Sequence, residues 1–453
     1  MTQRAWPAWA RASEILDLLR LSGPIAVSRA AMMLMGITDA IVLGQMAPGE
    51  LPFVLNSWLP IGVSLGLGTG ILIGVQVLTS ELMGVGREQE SGRIFRRGLV
   101  FAALMGVALT AIIFPLAGPM FRAFGFAPEV AAATAACTRI MSLGLFGFMV
   151  TTVCSMYLEA LRRPLFVTAV MYLGVFINLG IDILLVIGWG PFEPMGANGV
   201  AWATTGTRTL MVLAFGWAIL TLTPAFKPSP DGPEEEVRRQ FSVGVGSAIS
   251  NVVEWGGFNF TYIIATWISL QVNTVYGYAT QMMGLAFMAF LGIGTATSVR
   301  VAEAYGRGDR GGVNDASRLG VVATIAVGLV LGLFVYVLRG PISELLINRE
   351  AMMDGVLLAP ALAVLLMVVA VAVVFDGLQA TCSMALRAQE VIWVPSLIHI
   401  GSFFVILIPG AYYLGITMGR GAQGMIEAAA LSVIVAGVSQ LALLEWKTAR
   451  HKV

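Results

Sequence analysis

Charge is scarce in this chain. Only 12% of its 453 residues are Asp, Glu, Lys or Arg, about half of what a soluble protein of this size carries. The cysteines number three, and Cys137, Cys154 and Cys382 have neither paired nor metal-type spacing. Each sits inside an apolar run, so they read as buried thiols. No P-loop, nucleophile elbow or metal motif occurs. That argues against an ATP-driven pump, an enzyme or a bound cofactor. A net charge of +1 gives no reason to expect nucleic acid as a partner. No cleavable signal is expected either, because the first apolar run starts after about 22 residues and is too long for a signal core.

What is abundant is apolar. The chain is 57% hydrophobic, with a mean hydropathy of +0.84. Runs of about 20 residues recur from end to end, each long enough to cross a bilayer core of roughly 30 Å. They are continuous rather than alternating, which excludes a transmembrane β-barrel. The chain therefore reads as an all-α polytopic membrane protein with twelve transmembrane helices. They are expected at 23–46, 52–82, 97–120, 129–161, 164–188, 198–222, 240–268, 273–304, 317–338, 352–386, 391–415 and 420–445. Ahead of them, residues 1–22 carry Trp6 and Trp9 with Arg4 and Arg11 and read as an interfacial segment on the membrane surface.

Loop charge sets the orientation. The even-numbered loops hold thirteen basic residues, among them Arg93, Arg96, Arg97, Arg163 and Arg239, while the odd-numbered loops hold only Arg122, Arg339, Arg349 and Arg420. By the positive-inside rule both termini face the cytoplasm, in a cytoplasmic (inner) membrane.

The chain repeats at half its length. Residues 66–69 read GLGT and residues 292–295 read GIGT. ELMGVGR at 81–87 faces EAYGRGD at 303–309, and ALRRP at 160–164 faces ALRAQ at 385–389. Each pair falls at the matching point of its half. This predicts two pseudo-symmetric six-helix bundles, an N-lobe over 23–222 and a C-lobe over 240–446. A Pro-rich charged linker over 223–239 joins them, and a tail over 447–453 follows. An even number of spans per half makes the repeats parallel, and rocking one bundle against the other would give alternating access.

Against this background, intramembrane ionisable residues stand out, because each is costly and points to function by default. Asp39 lies about 24 Å along the first span, counting 1.5 Å per residue from Gly23. Asn178 and Asp182 reach a similar depth in the fifth span, and their spacing of four puts them on one helix face. Two carboxyls and an amide suit a proton or a hard cation with oxygen ligands; the alternative is a pair of solvated outer-end residues. Thr204, Thr205 and Thr207 could add hydroxyls, although threonines in membrane helices commonly bond their own backbone. Glu254 and Asp376 come out near mid-membrane and form a second acidic set in the C-lobe. Asn251, Gln281, Trp255, Tyr262 and His399 are candidates for contacting substrate or ion. A lone intramembrane histidine is more often an interhelical hydrogen-bond partner. Arg29, Arg139, Arg208 and Arg300 are expected to snorkel towards helix ends.

Several of these residues resemble the multidrug and toxic compound extrusion (MATE) transporters, and in particular their NorM-type members. The resemblance covers nearly the whole chain. It rests on GPIAVSRAAMMLMGITDAIVLG from Gly23, on SWLP at 57–60, on ALRRPLFVTAVMYLGVFINLGID at 160–182, on GVAWATTGT at 199–207 and on SVRVAEAYGRGD at 298–309. It implies a V-shaped pair of six-helix lobes that exports organic, often cationic compounds in exchange for H+ or Na+. By position, Asp39, Asn178, Asp182 and Thr207 match the N-lobe proton or cation site, with Glu254 and Asp376 matching the C-lobe acidic pair. Ala372 departs from the pattern, since NorM-type members carry a tyrosine one turn before the C-lobe aspartate. The resemblance therefore implies multidrug efflux by antiport, no cofactor beyond the coupling ion, small-molecule organic cations and the bilayer as partners, and a monomer.

Two other functions compete. A flippase or exporter of lipid-linked saccharides, or of another anionic metabolite, would need a basic cleft, against which the acidic sets argue. A receptor or scaffold without transport would tolerate neutral residues at Asp39 and Asp182.

Overall fold

The computed structural model describes residues 12–450, apart from 85, 162, 189–192, 229–231, 233, 307–308, 390 and 392. The helices in chain order are α1 (Ala12–Met46), α2 (Leu51–Gly84), α3 (Ser91–Ala123), α4 (Pro128–Leu143), α5 (Leu145–Ala160), α6 (Pro164–Val186), α7 (Gly196–Leu222) and α8 (Glu234–Ile268). There follow α9 (Leu270–Gly306), α10 (Arg310–Val337), α11 (Arg339–Leu346), α12 (Leu358–Arg387), α13 (Trp393–Ile400), α14 (Ile408–Tyr412) and α15 (Gly421–Arg450). Helices dominate because a backbone in hydrocarbon must satisfy its own N–H and C=O groups. Proline respects this at two starts, Pro128 of α4 and Pro164 of α6, where the missing N–H costs nothing.

Among the described residues, nine helices are long and apolar enough to cross a membrane, or ten if α4 and α5 count as one bent span. The other two expected spans fall on α1 and α8, each 35 residues long. α1 carries Glu14, Asp17 and Arg20 near its start, and α8 opens on EEEVRR and holds Asn251, Glu254 and Asn259.

Local structure departs from the expected spans in four places. The expected fourth span, 129–161, is bent by 43° between α4 and α5. The bend falls at Gly144, where α7 comes so near that a Cβ would lie 3.1 Å from the Thr205 hydroxyl. The expected tenth span, 352–386, begins late. Met352–Met353 and Val356–Leu357 pair as a small antiparallel hairpin, and α12 starts at Leu358. Asp354 and Gly355 both adopt positive φ, 51° and 77°, as a two-residue hairpin turn requires and an Asp-Gly pair supplies. The expected eleventh span runs through α13 and α14 with π-helical stretches at Gly401–Leu407 and Tyr413–Thr417. Finally, residues 12–22 continue directly into the first span as one helix; Trp6 and Trp9 lie outside the described residues.

The chain divides into two compact units. One is Thr38–Trp267; the other joins the start of the chain, up to Ile37, with Ile268–Val453. These limits differ from the sequence repeat. They cut α1 internally and place α8 with α2 to α7.

In the first of these units α6 packs on α7, and α3 packs on α4 and α5. α8 is tied in at three levels. Near its start, Glu236 accepts from Arg93 Nη2 at 2.8 Å and from Arg97, while Arg93 Nη1 also donates to Glu90 at 2.6 Å. Burial alone would raise the Glu236 carboxyl, but the Arg93 and Arg97 guanidiniums outweigh it and hold it below the usual range. In the middle, Gly66, Gly70 and Gly74 of α2 lie so close to α8 that a Cβ on them would meet Asn251, Ala248 and Gln240 respectively. This four-residue spacing of small residues brings two backbones together, the usual close approach of helices in membranes. At its far end, Trp267 Nε1 donates to the Phe124 carbonyl at 2.7 Å, beside a buried cluster that includes Phe121, Phe126 and Ile263.

In the second unit α12 packs against α9, α10 and α15. Leu362, Leu366, Val369 and Val373 are buried along it. A Thr324–Thr381 hydrogen bond of 2.8 Å joins α10 to α12, and Arg318 pairs with Glu445 of α15 at 2.8 Å.

Candidate functional site

The N-lobe residues singled out in the sequence come together in Thr38–Trp267. Asn178 Nδ2 donates to Asp39 Oδ1 at 2.6 Å and to Asp182 Oδ2 at 2.7 Å. One amide thus uses both hydrogens to hold a carboxyl of α1 and a carboxyl of its own helix. Thr204 adds a third element, its hydroxyl donating to Asp39 Oδ2 at 3.3 Å. Asn178 and Asp182 are fully buried and Asp39 is 6% exposed.

Each element is positioned locally. Pro164 opens α6, and the four-residue spacing then sets Asn178 and Asp182 one above the other. α7 is fixed at its start by Glu50, whose Oε2 accepts from the Ala197 N–H at 2.7 Å. A carboxylate there meets the free N–H groups and positive end of the helix. The preceding Gly196 has φ +52°, and a Cβ on it would run into the Glu50 carboxyl. That anchor fixes the register that brings Thr204 to Asp39.

The cluster is rich in acceptors and short of donors. Asp182 Oδ1, Asn178 Oδ1 and Thr207 Oγ1 are buried with no hydrogen-bond partner among the described residues. Buried oxygens of this kind call for a proton or a cation. Among the described residues no group of three or more His, Cys, Asp or Glu could hold a metal ion, so a cation here would draw on amide and hydroxyl oxygens as well.

The hydroxyl that reaches Asp39 belongs to Thr204 and not to the expected Thr207. Both are on α7, three residues apart, so they point about 60° apart around the helix axis. Thr205 faces elsewhere and donates to the Ile140 carbonyl at 3.0 Å. Depth alone left the three hydroxyls equivalent in the sequence; choosing among them needs the rotation of α7.

The C-lobe candidates are more dispersed. Asp376 on α12 is 6% exposed, and its Oδ1 accepts from Gln379 Nε2 at 3.2 Å. The Glu254 side chain lies outside the described residues; its helix, α8, belongs to the other compact unit. Asn251 donates to the Gly66 carbonyl at 3.4 Å and to the Thr69 hydroxyl at 3.3 Å, which makes it part of the α2–α8 contact. The Gln281 Oε1 atom is buried without a partner among the described residues. Trp255 and Tyr262 are half-buried on α8. His399 is 2.9 Å from Gln440 Nε2 of α15, with the Phe403 ring tilted beside it, the interhelical role expected of a lone histidine.

Arg208 corrects an expectation. It does not snorkel: it is 5% exposed, twelve residues into α7, with its guanidinium 4.8 Å from the centre of the Phe148 ring. Arg139 does lie at the surface, bonding the Phe114 carbonyl at 3.1 Å.

Comparison with known proteins bears on all of this. The family model MatE matches residues 24–184 and 247–413, two segments that follow the internal repeat. A Caulobacter vibrioides protein named "Probable multidrug resistance protein NorM" is 33% identical over 449 residues, covering 96% of this chain and 93% of the relative. A protein of the same name from Deinococcus radiodurans is 26% identical and covers 99% of both chains. Among solved structures, the inward-facing conformation of a multidrug resistance MATE family transporter superposes with a TM-score of 0.81 at 17% identity. It covers 94% of this chain and 99% of its own, a likeness of fold. On the family match and the extent of the NorM relationship, this chain belongs to the MatE family of multidrug efflux transporters.

Proposed function

We propose that the protein is a secondary active antiporter. It exports organic cations across the cytoplasmic membrane in exchange for H+ or Na+, as a monomer with both termini in the cytoplasm. The observation that carries this reading is the buried Asp39–Asn178–Asp182 cluster, with the Thr204 hydroxyl on Asp39. Two carboxyls joined by one amide accept a proton or a small cation at modest cost and repel a second anion strongly. A switch between states needs a ligand that binds one of them better; moving an equilibrium from 1:99 to 99:1 takes about 5.5 kcal/mol of differential binding. Discharging and recharging a buried carboxyl pair is a source of that magnitude. Thr207, Glu254 and Asp376 are assigned to the same cycle as secondary sites for the coupling ion. The names of the relatives support multidrug compounds as cargo.

The test is accumulation of a fluorescent organic cation in cells lacking their own efflux pumps. Expression of the wild-type chain should lower accumulation. Asp39→Asn or Asp182→Asn should restore it while protein levels in the membrane stay unchanged. Efflux undiminished in both variants would sink the proposal. Repeating the assay without sodium, and then with a protonophore, assigns the ion.

A further inference from the structure

Among the described residues, Arg208 is a buried cation with no carboxylate in direct contact. It sits about 18 Å along α7 from Gly196, counting 1.5 Å per residue, in the interior of the unit formed by Thr38–Trp267. Its Nε has no hydrogen-bond partner among the described residues. The acceptor of Nη1 is the Met211 sulfur at 4.0 Å, a weak one. Asp39 acts on it only through space, and among the described residues no carboxylate forms an ion pair with it within 4.0 Å. The Phe148 ring covers one face of the guanidinium. Cation–π contact is worth about 2 kcal/mol when desolvated, well short of the several kcal/mol that burying an ion costs. The ring also leaves the in-plane N–H groups unmatched.

Those groups border a hollow. Arg208 lines it together with Trp58, Leu65, Leu145, Phe148 and Thr205, and it has room for about one water molecule. Thr204, one helical turn before Arg208 on the same face, lines it too and bonds Asp39. The hollow and the acidic cluster therefore share a wall. A water there would supply an acceptor but no charge, so the guanidinium would still lack an anion in direct contact. The Thr204 and Thr205 hydroxyls donate their own protons elsewhere, which leaves the Arg208 guanidinium, with the Trp58 indole N–H, as the donors on the lining. The remaining wall is mostly apolar. A single fixed cation in an apolar, water-sized hollow suits a small, weakly hydrated monovalent anion. A carboxylate or phosphate group would need more donors.

We propose that Arg208 and the hollow between α2, α4, α5 and α7 form a binding site for a chloride-sized monovalent anion.

The experiment uses the full chain purified in detergent, with chloride, acetate and gluconate as probes at constant ionic strength. Thermal unfolding of the wild type should shift upward and saturate with chloride, while acetate, whose carboxylate calls for more donors than the largely apolar wall offers, should behave as gluconate does. Arg208→Gln should weaken the chloride dependence by about tenfold or more, the scale of one lost charge-assisted hydrogen bond. Because Arg208→Gln also uncovers the Phe148 ring, a second variant, Leu65→Phe, keeps the guanidinium and fills the hollow; it should abolish the response as well. Bromide-soaked crystals should show an anomalous peak within hydrogen-bond distance of the Arg208 guanidinium. The proposal is overturned by any one of four results: no difference between chloride and gluconate, equal stabilisation by acetate, an unchanged chloride response in Leu65→Phe, or bromide bound only elsewhere.

Discussion

Replacing Asn178 with leucine removes one amide and two hydrogen bonds while roughly keeping the shape of the side chain. The bonds measure 2.6 and 2.7 Å and end on buried carboxyl oxygens. Hydrogen bonds to charged groups contribute about 1.5–3 kcal/mol each in soluble proteins. Inside membranes measured couplings run lower, averaging about 0.6 and reaching about 1.7 kcal/mol, because the unfolded chain also finds partners there. A loss of roughly 1–3 kcal/mol for Asn178→Leu is therefore expected. The cleaner quantity is the coupling. Reversible unfolding in mixed micelles, applied to Asn178→Leu, Asp182→Leu and the double variant, isolates one bond; the same cycle with Asp39→Leu isolates the other. Each cycle should return at least about 0.5 kcal/mol, since residues in direct contact do not behave additively. Additivity within about 0.3 kcal/mol in both cycles would refute the idea that one amide holds the two carboxyls.

Other measurements probe the neighbouring features. Thr204→Val should impair efflux of a fluorescent cation more than Thr207→Val at equal expression, because only the Thr204 hydroxyl reaches Asp39; the opposite order would return the role to Thr207. Glu236 is held below the ordinary carboxyl range by Arg93 and Arg97 against the opposing effect of burial. Its contribution to stability is thus present above the unfolded value of about 4.3 and is lost as pH falls through the lower folded value. Acid unfolding curves should show the wild type losing more stability than Glu236→Gln below about pH 4; parallel curves would contradict this. Gly70→Val should destabilise the fold by about 1–3 kcal/mol, the usual cost of overpacking, because its side chain would meet the Ala248 backbone. Unchanged thermal unfolding would mean that α2 and α8 do not lie together.

Much of this was legible in the sequence because membrane solvent imposes strong patterns. Apolar runs located the long helices, and the four-residue spacing of Asn178 and Asp182 placed them on one face. Equal depth then matched Asp39 to them. What depth could not supply is rotation about a helix axis. That is why depth alone makes Thr204 and Thr207 interchangeable, and why the sequence reads Arg208, twelve residues into α7, as a snorkelling residue. The hairpin at 352–357 hides in the sequence for another reason: Met352, Met353, Val356 and Leu357 are as apolar as the helix they precede, and only the Asp354-Gly355 pair marks the turn. The bend at Gly144 had just a glycine to announce it, in a chain with 52 of them.

The glycine row of α2 has a mechanical consequence. Where two helices meet through long side chains, they can slide apart gradually while the side chains reorient. Gly66, Gly70 and Gly74 offer α8 no side chains to reorient. Dispersion attraction between touching backbones falls by a quarter to a half over a gap of about 0.5–1 Å. A small separation would therefore forfeit a quarter to a half of that attraction along three turns at once. The seam between α2 and α8 should therefore answer a small displacement more steeply than a contact made through long side chains would.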